Sequence, residues 1–123
     1  NIFYFKSQII GYTLLRYRTC KINAVSKKYL LFDTLILKKN FREKNMSSLL
    51  MNFNNQLIRL SNKFSFLICD NKMINFYKKF NWKILEKKKF VITTNVSNKI
   101  GMIFNQKNLT KKKILNINFF NLK

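Results

Sequence analysis

Apolar residues recur along the chain with two periods, and the switches between them mark the expected elements. Residues 2–6 and 9–17 are β-branched and aromatic runs around Lys6-Ser7-Gln8, which predicts a hairpin, with Gly11 suited to a bulge in the second run. Residues 19–28 are polar and predict a loop. Residues 30–37, Leu-Leu-Phe-Asp-Thr-Leu-Ile-Leu, form a nearly continuous apolar run, as expected of a strand covered on both faces. Met46, Leu49, Leu50, Phe53, Leu57 and Leu60 then fall at helical spacing and predict an amphipathic helix over roughly 46–62. Phe64 to Cys69 predicts a short buried strand. Asp70 is suited to cap a second helix over about 71–80, whose inner face carries Met73, Phe76, Tyr77 and Phe80. Strands near 83–93 and 100–104 give the order β-β-β-α-β-α-β-β, with 114–120 as a further candidate. The fold class is mixed α/β (α+β), a central mixed sheet flanked by helices.

A chain of 123 residues supports one domain, residues 1–123, and its apolar fraction of 47% supplies a core and argues against wholesale disorder. A net charge of +21 suggests a partner rich in phosphate, such as nucleic acid, an anionic membrane or a nucleotide-like cofactor. Composition weakens that inference. Lys, Asn, Ile, Phe, Tyr and Met make up 75 of the 123 residues, while Gly, Ala, Pro and Arg together supply only 7. The first set has A/T-rich codons and the second G/C-rich ones, so part of the Lys excess reflects mutational bias, with Asn filling turn positions that Gly normally holds. Nucleic-acid binders also favour Arg for bidentate contacts, and this chain has four.

Cys20 and Cys69 form no CxxC and are expected as free thiols in a reducing compartment, the cytoplasm. No apolar run approaches a membrane span, and no membrane association is expected. The sequence starts at Asn1 within an expected strand, which suggests that the natural N-terminus lies upstream. The absence of His removes Ser-His-Asp triads, His metal sites and His general bases. Acid-base chemistry must then use Asp33, Glu43, Asp70, Glu86, Tyr, Cys, Lys or water.

The segment from Asp33 to Met51 carries the most chemistry. An apolar strand runs into a turn holding Arg42, Lys44, Asn45 and Ser47, then into a helix. Free N–H groups at a helix N-terminus, together with its dipole, suit an anion such as pyrophosphate. The same residues also suit an ordinary helix start in which Asn45 or Ser47 caps the amides. Thirty residues on stands Phe76-Tyr77-Lys78-Lys79-Phe80-Asn81-Trp82. Together, residues 31–82 resemble the acyl-CoA-binding core of the GNAT-type N-acetyltransferase superfamily. There, a buried strand leads to Arg/Gln-x-x-Gly-x-Gly/Ala at a helix start, the register of Arg42-Glu43-Lys44-Asn45-Met46-Ser47, and a second helix carries Phe-Tyr-x-x-Gly-Phe/Trp. Asn45, Ser47 and Asn81 replace the three glycines; Asn is the non-glycine residue best suited to positive φ. The family's first strand and its two following helices, which shape the acceptor pocket, have no counterpart in the pattern.

The resemblance implies acetyl-CoA as co-substrate, no metal, and transfer of the acetyl group to a primary amine on a small or sugar-linked acceptor. It also leaves room for a homodimer. Backbone groups of Leu35, Ile36 and Leu37 would pair with the pantetheine arm, as an added strand does. Amides from Arg42 through Ser48, including those of Lys44, Asn45, Met46 and Ser47, would hold the pyrophosphate, and Asn71 joins the cofactor-binding set. Tyr77 would protonate the departing thiolate; otherwise it is a core aromatic. Asp33, the single charge in its strand, would be the general base if burial raises its pKa; otherwise it is an Asp at a strand bulge, bonded to Thr34 or a nearby amide. Two rival functions remain. One is a basic RNA-binding or ribosome-associated module, stacking bases on Phe3, Tyr4, Phe5, Tyr12 and Tyr17; the other is a degenerate acyl-CoA fold kept for interaction.

Overall fold

The computed structural model of the chain describes residues 1–42, 45–92, 99–106 and 117–119. It opens with two consecutive hairpins. β1 (Ile2–Phe5) pairs antiparallel with β2 (Gln8–Ile22), which pairs antiparallel with β3 (Val25–Leu37). Both turns have two central residues at positive φ: Lys6 and Ser7 at 47° and 64°, Asn23 and Ala24 at 49° and 68°. This is the conformation that tight hairpins favour, because it matches the twist of the strands. The polar stretch 19–28 is therefore not a loop but the tip of the second hairpin. Cys20, Ile22 and Tyr29 alternate inward there while Lys21, Lys27 and Lys28 face water.

Two bulges shape β2 and β3. Phe3 pairs with Gly11 and Tyr4 with Ile9, leaving Ile10 as the extra residue beside Gly11. Gly11 itself lies so close to the Ile36 carbonyl that a Cβ would collide with it. In the second bulge, Leu14 pairs with Thr34 and Leu15 with Phe32, so Asp33 has no partner residue across the ladder.

After a 3-10 turn at Lys39–Phe41, helix α1 (Met46–Leu60) packs back onto the sheet. Its buried stripe is Leu50, Met51, Asn54, Asn55 and Ile58, rotated from the expected one. Leu49, Phe53 and Leu60 are 61%, 46% and 71% exposed. Two asparagines occupy the inner face, where a search for apolar spacing does not find them. The next strand, β4 (Ser65–Cys69), is parallel to β3. The expected helix at 71–80 is a 3-10 turn, Asn71–Met73, followed by the short α2 (Ile74–Lys78). Asp70 does not cap it with its side chain, because its carboxylate pairs with Lys99. Asn81 at φ 67° ends the helix, and Trp82 N–H reaches back to the Tyr77 carbonyl at 3.3 Å.

The expected strand at 83–93 is instead two strands on opposite edges of the sheet. β5 (Lys83–Leu85) pairs with β7 (Ile100–Phe104), whereas β6 (Phe90–Ile92) pairs with β8 (Ile117–Phe119) after a 3-10 turn at Lys87–Lys89. Residue 93, and 114–116 and 120 of the expected last strand, lie outside the described residues. Among the described residues the strand order is β5-β7-β4-β3-β2-β8-β6, with β1 on β2.

Both faces of this mixed sheet are covered. One holds Leu30, Phe32, Leu67, Met102 and Phe104 against Met51 and Ile58 of α1, Tyr77 of α2 and Trp82. On the other, the sheet rolls over itself: Phe119 of β8 stacks on Phe66 of β4 at 3.9 Å, although two strands separate β8 from β4. Cys20 and Cys69 are buried free thiols. No helix among the described residues is long and apolar enough to cross a membrane.

Candidate functional site

The parallel seam between β3 and β4 is short. Only Leu30 with Ser65 and Leu31 with Phe66 are paired, locked by Leu30 N–H to the Phe64 carbonyl (3.0 Å) and Ser65 Oγ to the Leu30 carbonyl (2.7 Å). Beyond it, the Asp33 bulge bends β3 and the strands part. Lys38 N–H donates to the Ile10 carbonyl at 2.7 Å, and the Ile36 carbonyl lies against Gly11, so both residues point at β2. Strand alternation then turns the backbone groups of Leu35 and Leu37 toward the opening. Ile36, expected to share their role, faces the other way. Arg42 Nε donates to the Leu37 carbonyl at 2.9 Å, which ties the loop to the strand end and occupies one of those acceptors.

At the same end of the seam stands the N-terminus of α1. Asn45 adopts the left-handed conformation (φ 56°, ψ 15°) and makes no side-chain capping bond. The first helical bond runs from Leu49 N–H to the Asn45 carbonyl at 3.4 Å. The amides of Met46, Ser47 and Ser48 are thus the free donors of the first turn, which carries no acidic residue and about half a unit of positive dipole charge. Lys44, expected to contribute here, lies outside the described residues, as does Glu43. Asn71, on the turn after β4, is exposed at the same end of the sheet, because parallel strands carry their C-termini to one side.

Tyr77 is 9% exposed and packs edge-on against Phe32, the residue before the bulge, with ring centroids 6.2 Å apart. Burial first, and then the Cys69 thiol, push the phenol up to about 12, so it keeps its proton at neutral pH. The Cys69 thiol is itself pushed up by burial and by Asp70, which makes it a poor nucleophile. Helix and aromatic cluster are joined through Asn55: its Nδ2 donates to the Phe80 carbonyl at 2.9 Å, and its Oδ1 accepts from the Trp82 indole at 3.0 Å. This link was not expected from the sequence. Its only signal is the cluster Asn52, Asn54 and Asn55 inside a helix.

Of the two readings of Asp33, the structure bears out the bulge and corrects the burial and the partner. Asp33 is not buried in an apolar strand but lies at the bulge with a partly exposed side chain, paired with Arg16 Nε at 2.8 Å. The bulge interrupts the strand's alternation and directs the carboxylate toward β2. Neither Thr34 nor a backbone amide is its partner.

Comparison with solved structures can now be made. YhbS of Escherichia coli, a GNAT family N-acetyltransferase in complex with CoA, superposes with a TM-score of 0.65 at 8% identity, over 93% of this chain and 62% of its own. The fold is that of the GNAT N-acetyltransferases. YlbP of Bacillus subtilis, an N-acetyltransferase in complex with coenzyme A, gives 0.59 at 15% identity over 82% of this chain and 63% of its own. Naa50 of Arabidopsis thaliana, in complex with the bisubstrate analogue CoA-Ac-MVNAL, gives 0.58 at 20% over 82% and 68%. The chain thus spans less than two thirds of the length of YhbS and YlbP. No family model and no curated protein matches the sequence. The likeness therefore lies in the GNAT-type fold, with no support at the level of sequence.

Proposed function

We propose that the opening between β3 and β4 binds acetyl-CoA and that residues 1–123 act as one N-acetyltransferase-like unit, passing the acetyl group to a primary amine. A single observation carries this reading: the parting of two parallel strands opens beside the uncapped N-terminus of α1. Leu35 and Leu37 offer backbone groups to an extended arm, and the amides of Met46, Ser47 and Ser48 suit its pyrophosphate. The CoA complexes of YhbS and YlbP support the choice of ligand.

In this reading Asp33, held by Arg16, orients the water that takes a proton from the incoming ammonium. The amine nitrogen attacks the thioester carbonyl, and an N–H of β3 stabilises the oxyanion. Collapse breaks the C–S bond, and Tyr77 gives its proton to the thiolate. The phenol carries its proton at neutral pH, and the charge that develops on the sulfur drives the transfer, because burial makes the phenol a weaker acid.

Thermal unfolding with acetyl-CoA tests the binding half. At about a hundred times its Kd the ligand adds about 2.7 kcal/mol, or about 10 °C for a chain of this size. An unchanged transition at millimolar acetyl-CoA would remove the site. Thiol release with a panel of primary amines tests the transfer half.

A further inference from the structure

The seam between β3 and β4 is open at its other end as well. Val25–Tyr29 of β3 run on past Ser65, the first paired residue of β4, and β7 ends opposite Ser65 at Phe104. The resulting notch has a volume of about 260 Å³, with Phe64 on its surface, and is lined by Lys27, Lys28, Lys63, Asn62, Asn105 and Gln106. Its walls are fixed. Asn62 and Asn105 turn the chain at φ 57° and 61°, and Asn105 Nδ2 donates to the Lys63 carbonyl at 2.9 Å. Arg59, over the Phe104 ring at 5.1 Å, adds a cation at the same end of the sheet.

No carboxylate of the described residues neutralises these lysines. Asp33 is paired with Arg16, Asp70 with Lys99, and Glu86 with Lys88 and Lys89. The chain's total charge carries little weight, because composition inflates it. The placement is a separate fact: three lysines with no carboxylate partner among the described residues border one concave notch, Lys27 and Lys28 on opposite faces of β3 and Lys63 after α1, and three side-chain amides line it with them. A flat bilayer does not reach into a recess, and a lone anion has no use for amides that both donate and accept.

We propose that this notch binds a single-stranded nucleic acid, its lysines on phosphates to either side of the notch and its amides on sugar or base edges. The site is distinct from the acetyl-CoA opening and does not depend on it. Fluorescence anisotropy with a labelled oligouridylate, titrated over a range of salt, provides the test. Each phosphate contact on a single strand contributes about 0.7 to the logarithmic salt slope, so Lys27→Ala/Lys28→Ala/Lys63→Ala lowers the slope by about 2 and the affinity at least about tenfold. The control Lys72→Ala/Lys78→Ala/Lys79→Ala removes the same charge from α2 and its approach, and changes affinity less than about twofold. Equal losses in the two variants would show attraction to net charge alone and overturn the proposal. Displacement of the oligonucleotide by acetyl-CoA, or by inorganic phosphate at matched ionic strength, would overturn it too, the first placing the strand in the other opening and the second assigning the notch to free phosphate. The triple Lys→Arg variant at the notch retains binding.

Discussion

Two neighbouring asparagines on α1 should respond to the same substitution with opposite signs. Asn54 and Asn55 both lie in the buried stripe of the helix, at 0% and 3% exposure. Asn55 is fully used, bridging the Phe80 carbonyl and the Trp82 indole. The Oδ1 and Nδ2 of Asn54 have no partner among the described residues. Leucine matches asparagine in branching and in number of side-chain heavy atoms, but its methyl groups are bulkier than the amide, so Asn→Leu changes polarity at a similar packing cost in both positions. Asn55→Leu strands two buried groups, each costing about 1–3 kcal/mol, for a loss of about 2–6 kcal/mol. Asn54→Leu removes two desolvated polar atoms that gain nothing from folding, and the better helix propensity of leucine adds a few tenths of a kcal/mol. Set against the packing cost, a net gain of about 0–2 kcal/mol is expected. Urea unfolding followed by the fluorescence of Trp82, the only tryptophan, measures both changes. With a slope of about 2 kcal/mol/M, the midpoint should rise by about 0–1 M for Asn54→Leu and fall by about 1–3 M for Asn55→Leu. A loss at Asn54→Leu as large as that at Asn55→Leu, with an unchanged slope, would refute the reasoning, because the added bulk is common to both and only a partner for the Asn54 amide would make up the difference.

Other expectations concern the site and its supports. Gly11→Ala drives a methyl group into the Ile36 carbonyl and the Leu37 side chain, and should lower stability by about 1–3 kcal/mol on chemical denaturation. Asn45→Ala forces alanine into a left-handed backbone and should cost about 1 kcal/mol in the same assay, whereas Asn45→Gly should be neutral within a few tenths. Tyr77→Phe should lower turnover while leaving the acetyl-CoA thermal shift nearly intact; equal loss of both would remove the acid role. The folded state holds the Tyr77 proton more tightly than the unfolded chain, so its contribution is complete below pH 10 and is lost as pH rises toward 12. That difference is about 2–3 kcal/mol, and Tyr77→Phe should therefore lose less stability than the parent between pH 10 and 12.

The strand-turn-helix and the second motif were legible because their chemistry is local. A strand running into a left-handed residue before a helix needs Gly or Asn, and Asn45 and Asn81 stand at positive φ where the resemblance places glycines. The same exchange holds elsewhere: five of the eight non-glycine residues at positive φ among the described residues are Asn, and neither glycine has positive φ. What escaped the sequence depended on partners far along the chain. The tip of the second hairpin turns on Asn-Ala rather than Asn-Gly, and three lysines, Thr19 and Ser26 make most of its exposed residues polar, so it resembled a loop. The inner stripe of α1 contains Asn55 because Trp82, 27 residues away, needs an acceptor, and apolar spacing alone cannot register that. The environment of Asp33 stayed open between burial and a bulge for a related reason. Its exposure follows from one extra residue in β3, and a bulge leaves no mark in composition. That bulge also bends β3 at the point where it leaves β4. The feature that hid the environment of Asp33 therefore helps to open the candidate site. A site built from backbone groups tolerates the replacement of its glycines by asparagine, provided that the left-handed positions are kept, so drift in composition can remove the sequence signature while leaving the fold in place.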